Sequence, residues 1–221
     1  MPDGHKLPKE RRELIERAIA EYREGKFLLV SDDEDRENEG DLVIAAEHTT
    51  PDAVNFMITY GKGLVCVAIT EEIARQKNLK PMVEKNEDSL GTAFTVSVDA
   101  SAEHGITTGI SAAERAKTVQ VLIDDQYGSE HIQVPGHMFP LVAKPGGLKV
   151  RRGHTEAGVE LSRLAGCKFL GSVIVEVIKD DGKMARRDDL IEMSEKFGIT
   201  YITIEELARY VEEVESEEAA A

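Results

Sequence analysis

The chain has 221 residues, 41% of them hydrophobic, which is enough to bury a core in one domain of ordinary to large size. Its 27 Lys and Arg stand against 42 Asp and Glu, a formal net charge of −15. Such a field opposes nucleic acid and anionic membrane surfaces, which are held by Lys and Arg, and a phosphorylated small molecule would need local cations or metal to bind against it.

Met1 to Arg12 is charged and has no apolar h-region, so no signal peptide is expected. Leu14, Ile15, Ala18, Ile19 and Tyr22 then share one face of a helix that Gly25 would end. A strand over Phe27 to Val30 is followed by the polar stretch Ser31 to Asp41 and a second strand, Leu42 to Ala46. Pro51 opens a helix after Thr49 and Thr50, where its fixed φ suits the first turn. Buried strands are expected over Gly63 to Ile69 and Phe94 to Val98, with a helix over Glu71 to Gln76 between them. Ser111 and Glu114 form a capping box at the start of a helix running to about Val121. Thr155 is read as the cap of a helix whose apolar face holds Val159, Leu161 and Leu164, closed by Gly166. Ser172 to Ile178 reads as a strand and Asp180 to Gly182 as a turn. A helix, a strand (Ile199 to Ile204) and a last helix follow, with an acidic tail expected to fray.

Glu84 to Gly91 and Gln126 to Pro145 lack helix signals, so the alternation of helix and strand is irregular. The pattern predicts one α/β (α+β) domain over 1–221, with its core at about 8–212, built in layers around a mixed sheet. The two cysteines, Cys66 and Cys167, show no metal-type spacing and suit a reducing compartment. No apolar run exceeds strand length, so no membrane span is expected, and a cytoplasmic location is.

Asp32 to Asp41 carries seven acidic residues in ten positions between two apolar runs. Such a run is either a solvated loop or a divalent-cation site, since hard cations favour clustered carboxylates. An EF-hand reading fails, because its twelfth position falls on Ala46. Arg151 to Thr155 joins two arginines and a histidine just before a helix N-terminus, which suits a phosphate as well as a simple capped turn. Thr107 to Ser111 offers hydroxyls and a glycine at another helix entry, although capping alone explains Ser111. His137 lies in a proline-flanked segment read as a loop. Glu176 interrupts an apolar run, either on a solvated face of its strand or as a carboxylate tuned by burial.

In this order the segments resemble 3,4-dihydroxy-2-butanone 4-phosphate synthase, a family of riboflavin biosynthesis. The resemblance rests on Asp32 to Leu42, Thr107 to Ser111, Pro135 to Leu141, Gly153 to Ala157 with Leu161 to Gly166, and Gly182 to Arg186. It implies a three-layer α/β homodimer with active sites near the interface. It also implies a lyase that converts ribulose 5-phosphate to L-3,4-dihydroxy-2-butanone 4-phosphate and formate with Mg²⁺ or Mn²⁺, a pair of ions being present once substrate is bound. By that resemblance Glu37, Glu39 and His154 hold metal. Arg36, Glu37, Asp41, Thr108, Ser111, Arg151, Arg152, Gly153, His154, Thr155 and Glu176 line the substrate site, and His137 and Glu176 are catalytic. Glu114 stands where the family has aspartate, a change that leaves the capping box intact. With no further cysteines for a zinc-binding cyclohydrolase domain, the chain resembles a monofunctional member. A non-catalytic binding module and a sugar-phosphate isomerase are the competing readings. The first would not need both His137 and Glu176, and the second would release no formate.

Overall fold

Helix α1 (Lys9–Arg23) buries Ile15, Ala18, Ile19 and Tyr22, the stripe spaced by three and four that its sequence predicts. These contacts belong to a computed structural model that describes residues 6–220. The first five residues and Ala221, which the expected domain includes, lie outside the described residues, as does part of the segment read for a signal peptide.

Seven strands form one sheet: β1 (Leu28–Ser31), β2 (Gly40–Ala45), β3 (Cys66–Ile69), β4 (Val98–Ala100), β5 (Ile132–Val142), β6 (Gly171–Glu176) and β7 (Thr200–Thr203). Their order is β4-β5-β3-β6-β2-β1-β7. The sheet is mixed, as expected, with β1–β7 and β3–β5 parallel and the other pairs antiparallel. Strand alternation divides the core between the two faces. Leu29, Leu42, Ile44, Val67, Val173 and Val175 pack with residues of α2 (Pro51–Phe56), α3 (Glu71–Gln76), α4 (Ala112–Ile123) and α6 (Arg187–Phe197). Leu28, Val30, Val43, Cys66 and Ile174 pack instead with α1, α5 (His154–Leu164) and α7 (Ile204–Ala220). This is the expected three-layer sandwich. Each fully buried Leu or Ile contributes about 1.5–3 kcal/mol relative to exposure.

Four expectations need correction. The strand expected at Phe94 to Val98 is displaced: Phe94 makes only an isolated bridge to Leu141, and β4 begins at Val98. The proline-flanked segment around His137, read as a loop, belongs to the eleven-residue strand β5 (the stretch Gln126 to Pro145 is indeed poor in helix). Pro135 and Pro140 disguise it, because prolines inside a sheet are largely confined to edges and bulges, and Pro135 falls in a bulge. β5 lies beside the three-residue edge strand β4, and its pairing jumps from Val98↔Met138 to Asp99↔Gln133, so Val134 to His137 bulge out of the ladder. Gly136 is required in that bulge, since a Cβ there would run into the Val98 backbone. Third, α5 is capped by Gly153 and not by Thr155, which is buried one residue inside the helix. A Cβ at 153 would collide with the Arg151 guanidinium. Last, the acidic tail continues α7 to Ala220, and Arg12 bonds to Glu213 at 3.0 Å and to Glu217 at 2.9 Å.

Candidate active site

Asp41, Cys66, Leu141, Ile174 and Glu176 line a cavity of about 150 Å³ beside the N-terminus of α5. The sheet register builds this lining. Asp41 pairs with Glu176 across β2–β6, and Cys66 pairs with Ile174 across β3–β6, so their side chains share one face. His154 and Thr155 close the cavity from α5, while Arg36, Glu37 and Glu39 enter from the acidic loop and Arg151 from the turn before the helix.

The acidic loop is organised around Asp32, which the sequence reading did not single out. Its side chain is fully buried and accepts from Arg36 Nη1 at 2.8 Å, Glu37 N at 3.0 Å and Glu39 N at 2.9 Å. The loop is therefore held in one shape where it meets the cavity, with Arg36, Glu37 and Glu39 only partly exposed. Glu37 is turned toward α5, with Oε2 2.7 Å from Arg36 Nη1 and 3.6 Å from His154 Nδ1. His154 Nε2–H donates to the Val30 carbonyl at 3.0 Å, which leaves Nδ1 facing Glu37.

The charges are strongly coupled. The His154 ring, against burial and with help from Arg36, holds the Glu37 carboxyl down at about 2. Burial works against a charged His154, but Asp41, Glu37 and Asp32 outweigh it and lift the ring to about 9. Burial pushes Asp41 up to about 7 despite His154, with Glu176 adding to the rise. Burial and then Glu37 raise Glu39. Burial also pushes up the Cys66 thiol, which stays neutral and unreactive in the wall of the cavity.

A divalent cation fits these donors. Ligand atoms of Asp32, Glu37 and His154 lie within 4.8 Å of one another, and the buried Asp41 Oδ1 has no hydrogen-bond partner among the described residues. Asp32 already accepts three bonds, so Glu37 and His154 are the freer pair. Glu39 lines the same cavity but stands outside that trio.

Other expected residues gather elsewhere. Asp99, also missed from sequence, accepts from His137 N at 2.9 Å and from His137 Nδ1 at 2.8 Å. Gly109 packs against both, since a Cβ there would meet the Asp99 carboxylate and the His137 ring. Thr108 beside it is exposed. Ser111 caps α4 and donates to Glu114 Oε2 at 2.9 Å, so the capping box is intact. Thr108, Ser111 and His137 do not line the cavity. Arg152 points away from it, 3.9 Å from Glu212, while Gly153 serves as the helix cap.

The sequence profile described as 3,4-dihydroxy-2-butanone 4-phosphate synthase matches residues 16–210. The chain belongs to the 3,4-dihydroxy-2-butanone 4-phosphate synthase family. It is 51% identical over 196 residues to the riboflavin biosynthesis protein RibBA of Aquifex aeolicus and 52% identical to that of Bacillus mycoides. Both matches cover 89% of this chain and 48% of the relative, so the chain spans about half the length of these relatives. A 3,4-dihydroxy-2-butanone 4-phosphate synthase solved with two magnesium ions superposes with a TM-score of 0.86 at 41% identity, covering 91% of this chain and 97% of that one. The two-domain synthase RibBX of A. baumannii gives 0.83 at 50% identity, covering 87% of this chain and 56% of that one.

Membership in the synthase family and the donor set agree on a divalent metal. Asp32 and Asp99 are the polar residues that family-level motifs conceal. One is hidden among neighbouring acids, and the other sits at a bulge that appears only when β4 and β5 pair. Among the described residues no helix is long and apolar enough to cross a membrane.

Proposed function

We propose that the chain is a lyase of riboflavin biosynthesis that converts D-ribulose 5-phosphate to L-3,4-dihydroxy-2-butanone 4-phosphate and formate. The observation that carries this reading, in a chain of this family, is the convergence of Glu37, Asp41, His154 and Glu176 on one cavity. Mg²⁺ or Mn²⁺ would be held by Glu37 and His154 with Glu39 as third contact, and a pair of ions is expected with substrate present. When bound, a divalent cation supplies the Lewis acid that acidifies a proton beside the ketone.

The chain's own groups divide the remaining work. The first turn of α5 presents free backbone N–H groups, and with Arg36, Arg151 and Thr155 it offers the local cations and donors that a phosphate needs against the net charge. Glu176 accepts from Leu64 N at 2.8 Å on Oε2, so Oε1 is free to take or give a proton in the cavity. Asp99 holds Nδ1 of His137 and leaves Nε2 to exchange a proton, as a carboxylate orients a catalytic imidazole elsewhere.

His137 is 45% exposed at its side chain, and Ile110 and Val134 beside its cluster are 54% and 53% exposed. We read this face as the interface of a cytoplasmic homodimer in which His137, with Thr108 and Ser111, serves the cavity of the partner subunit. The activity is tested by supplying ribulose 5-phosphate and measuring formate and the four-carbon product together. Equal amounts support the reading, whereas consumption of substrate without formate identifies an isomerase.

A further inference from the structure

Glu103, His104 and His131 form a second cluster, away from the cavity, whose ligand atoms lie within 4.8 Å of one another. His104 and His131 end two short 3-10 turns, Ala102–His104 and Ser129–His131. Ser101 N–H joins the turns by donating to the His131 carbonyl at 2.8 Å. They sit directly beyond the Ala100↔Ile132 pair, at the end of the β4–β5 ladder.

Three atoms converge here: His131 Nδ1 lies 3.0 Å from His104 Nε2 and 2.7 Å from Glu103 Oε1, and the latter two are 3.9 Å apart. Protons alone satisfy this arrangement poorly. If Nδ1 of His131 carries hydrogen, that hydrogen is shared between two acceptors nearly at right angles. If Nδ1 is bare, it faces a carboxylate oxygen at contact distance. The three separations bracket the edge of about 3.3 Å that tetrahedral Zn²⁺ sets between its ligand atoms, so a small swing of the exposed Glu103 carboxylate and a slight parting of the rings bring all three to one ion. The surroundings favour fixed rings. Tyr127 packs edge-on against His104 at 4.9 Å and His131 at 5.0 Å between ring centroids. Glu130 Oε1 stands 3.6 Å from His131 Nε2, on the ring's far side and just beyond hydrogen-bond distance. Ser101 Oγ donates to Glu103 Oε1 at 2.8 Å and holds that carboxylate toward the rings.

We propose that Glu103, His104 and His131 form a separate site for a borderline-soft divalent ion, foremost Zn²⁺, that clamps the two turns at the end of the β4–β5 ladder. Two imidazoles and one carboxylate suit zinc, cobalt or nickel, unlike the oxygen-rich cavity, which suits harder ions. Glu103 is 57% exposed at its side chain, so an ion can reach the cluster from solvent.

The test compares the wild-type chain with His131→Ala, both equilibrated with Zn²⁺ in excess Mg²⁺, freed of loose ion by gel filtration and assayed for bound zinc. The wild type is expected to keep about one more zinc per chain than the variant, and Glu37→Gln is expected to keep it too. Co²⁺ in place of Zn²⁺ should give tetrahedral absorption bands in the wild type that His131→Ala lacks. Equal zinc in the wild type and His131→Ala, or loss of this ion in Glu37→Gln instead, would overturn the site. Should His131→Ala fail to fold by circular dichroism, Glu103→Gln replaces it, because its carboxylate is exposed. Zinc affinity weaker by about tenfold or more supports the site, and unchanged affinity overturns it.

Discussion

Asp41 and Glu176 stand directly opposite one another across the β2–β6 ladder, two carboxylates on one face of the sheet. Like charges in that position destabilise a sheet pair, and here burial adds to the cost. The protein answers with a proton, since Asp41 is pushed up to about 7, and with the cationic His154 ring, whose Nε2 is 3.8 Å from Asp41 Oδ1. Oδ1 nevertheless has no hydrogen-bond partner among the described residues. The cavity is a concentration of negative charge that a divalent cation would relieve.

That relief is linked to protons. His154 is lifted to about 9, so below that pH the ring carries a proton that a cation at Nδ1 must displace. Mg²⁺ affinity should therefore rise with pH between about 6 and 9, by up to about tenfold per unit, with about one proton released. Without metal the sign is opposite, because the raised ring stabilises the fold at low pH and that contribution is lost as pH rises through about 9. Calorimetry in two buffers of different ionisation enthalpy reads both affinity and protons. An affinity flat over this range would remove His154 from the ligand set. In Glu37→Gln affinity should fall about tenfold or more while the far-ultraviolet spectrum is unchanged.

Asp32→Ala leaves two loop N–H groups and Arg36 without their buried acceptor. Denaturant unfolding should show a loss of about 3 kcal/mol, the range for breaking a buried charged network. A change below about 0.5 kcal/mol would mean that the loop organises itself without Asp32.

Much of this architecture was legible locally. The α1 stripe, the Thr50 and Ser111 caps and the apolar runs of β1, β2 and β6 are short-range signals, and each appears near its expected place. Strand β5 was not legible, because its two prolines argue against a strand and the bulge that admits Pro135 exists only in three dimensions. Asp32 cannot be distinguished from Asp33 or Asp35 until the loop turns back on it. Motif order also gave no means of dividing the site, since it does not reveal that His137 is held by Asp99 outside the cavity that Glu37, His154 and Glu176 share.

Glu176→Gln preserves shape and the bond from Leu64 N but cannot exchange a proton. Turnover should fall by about 10²- to 10⁴-fold while ribulose 5-phosphate still binds. Single-turnover assays and calorimetry separate the two effects, and near-normal turnover would reduce Glu176 to a tolerated strand acid.

If His137 serves the partner's cavity, mixing inactive Glu37→Gln and His137→Ala chains rebuilds one intact site per mixed dimer. Random exchange makes half the dimers mixed, so about a quarter of wild-type activity per site should return. A mixture as inactive as its parents would place His137 in its own chain's chemistry or outside it.

Formate release from ribulose 5-phosphate, followed through removal and return of the cation, tests the central claim most directly. The wild-type chain should produce formate and four-carbon ketone phosphate in equal amounts, stop after exhaustive EDTA treatment, and resume when Mg²⁺ or Mn²⁺ is added. Undiminished formate from the fully demetallated chain, or none under any condition, would contradict the account.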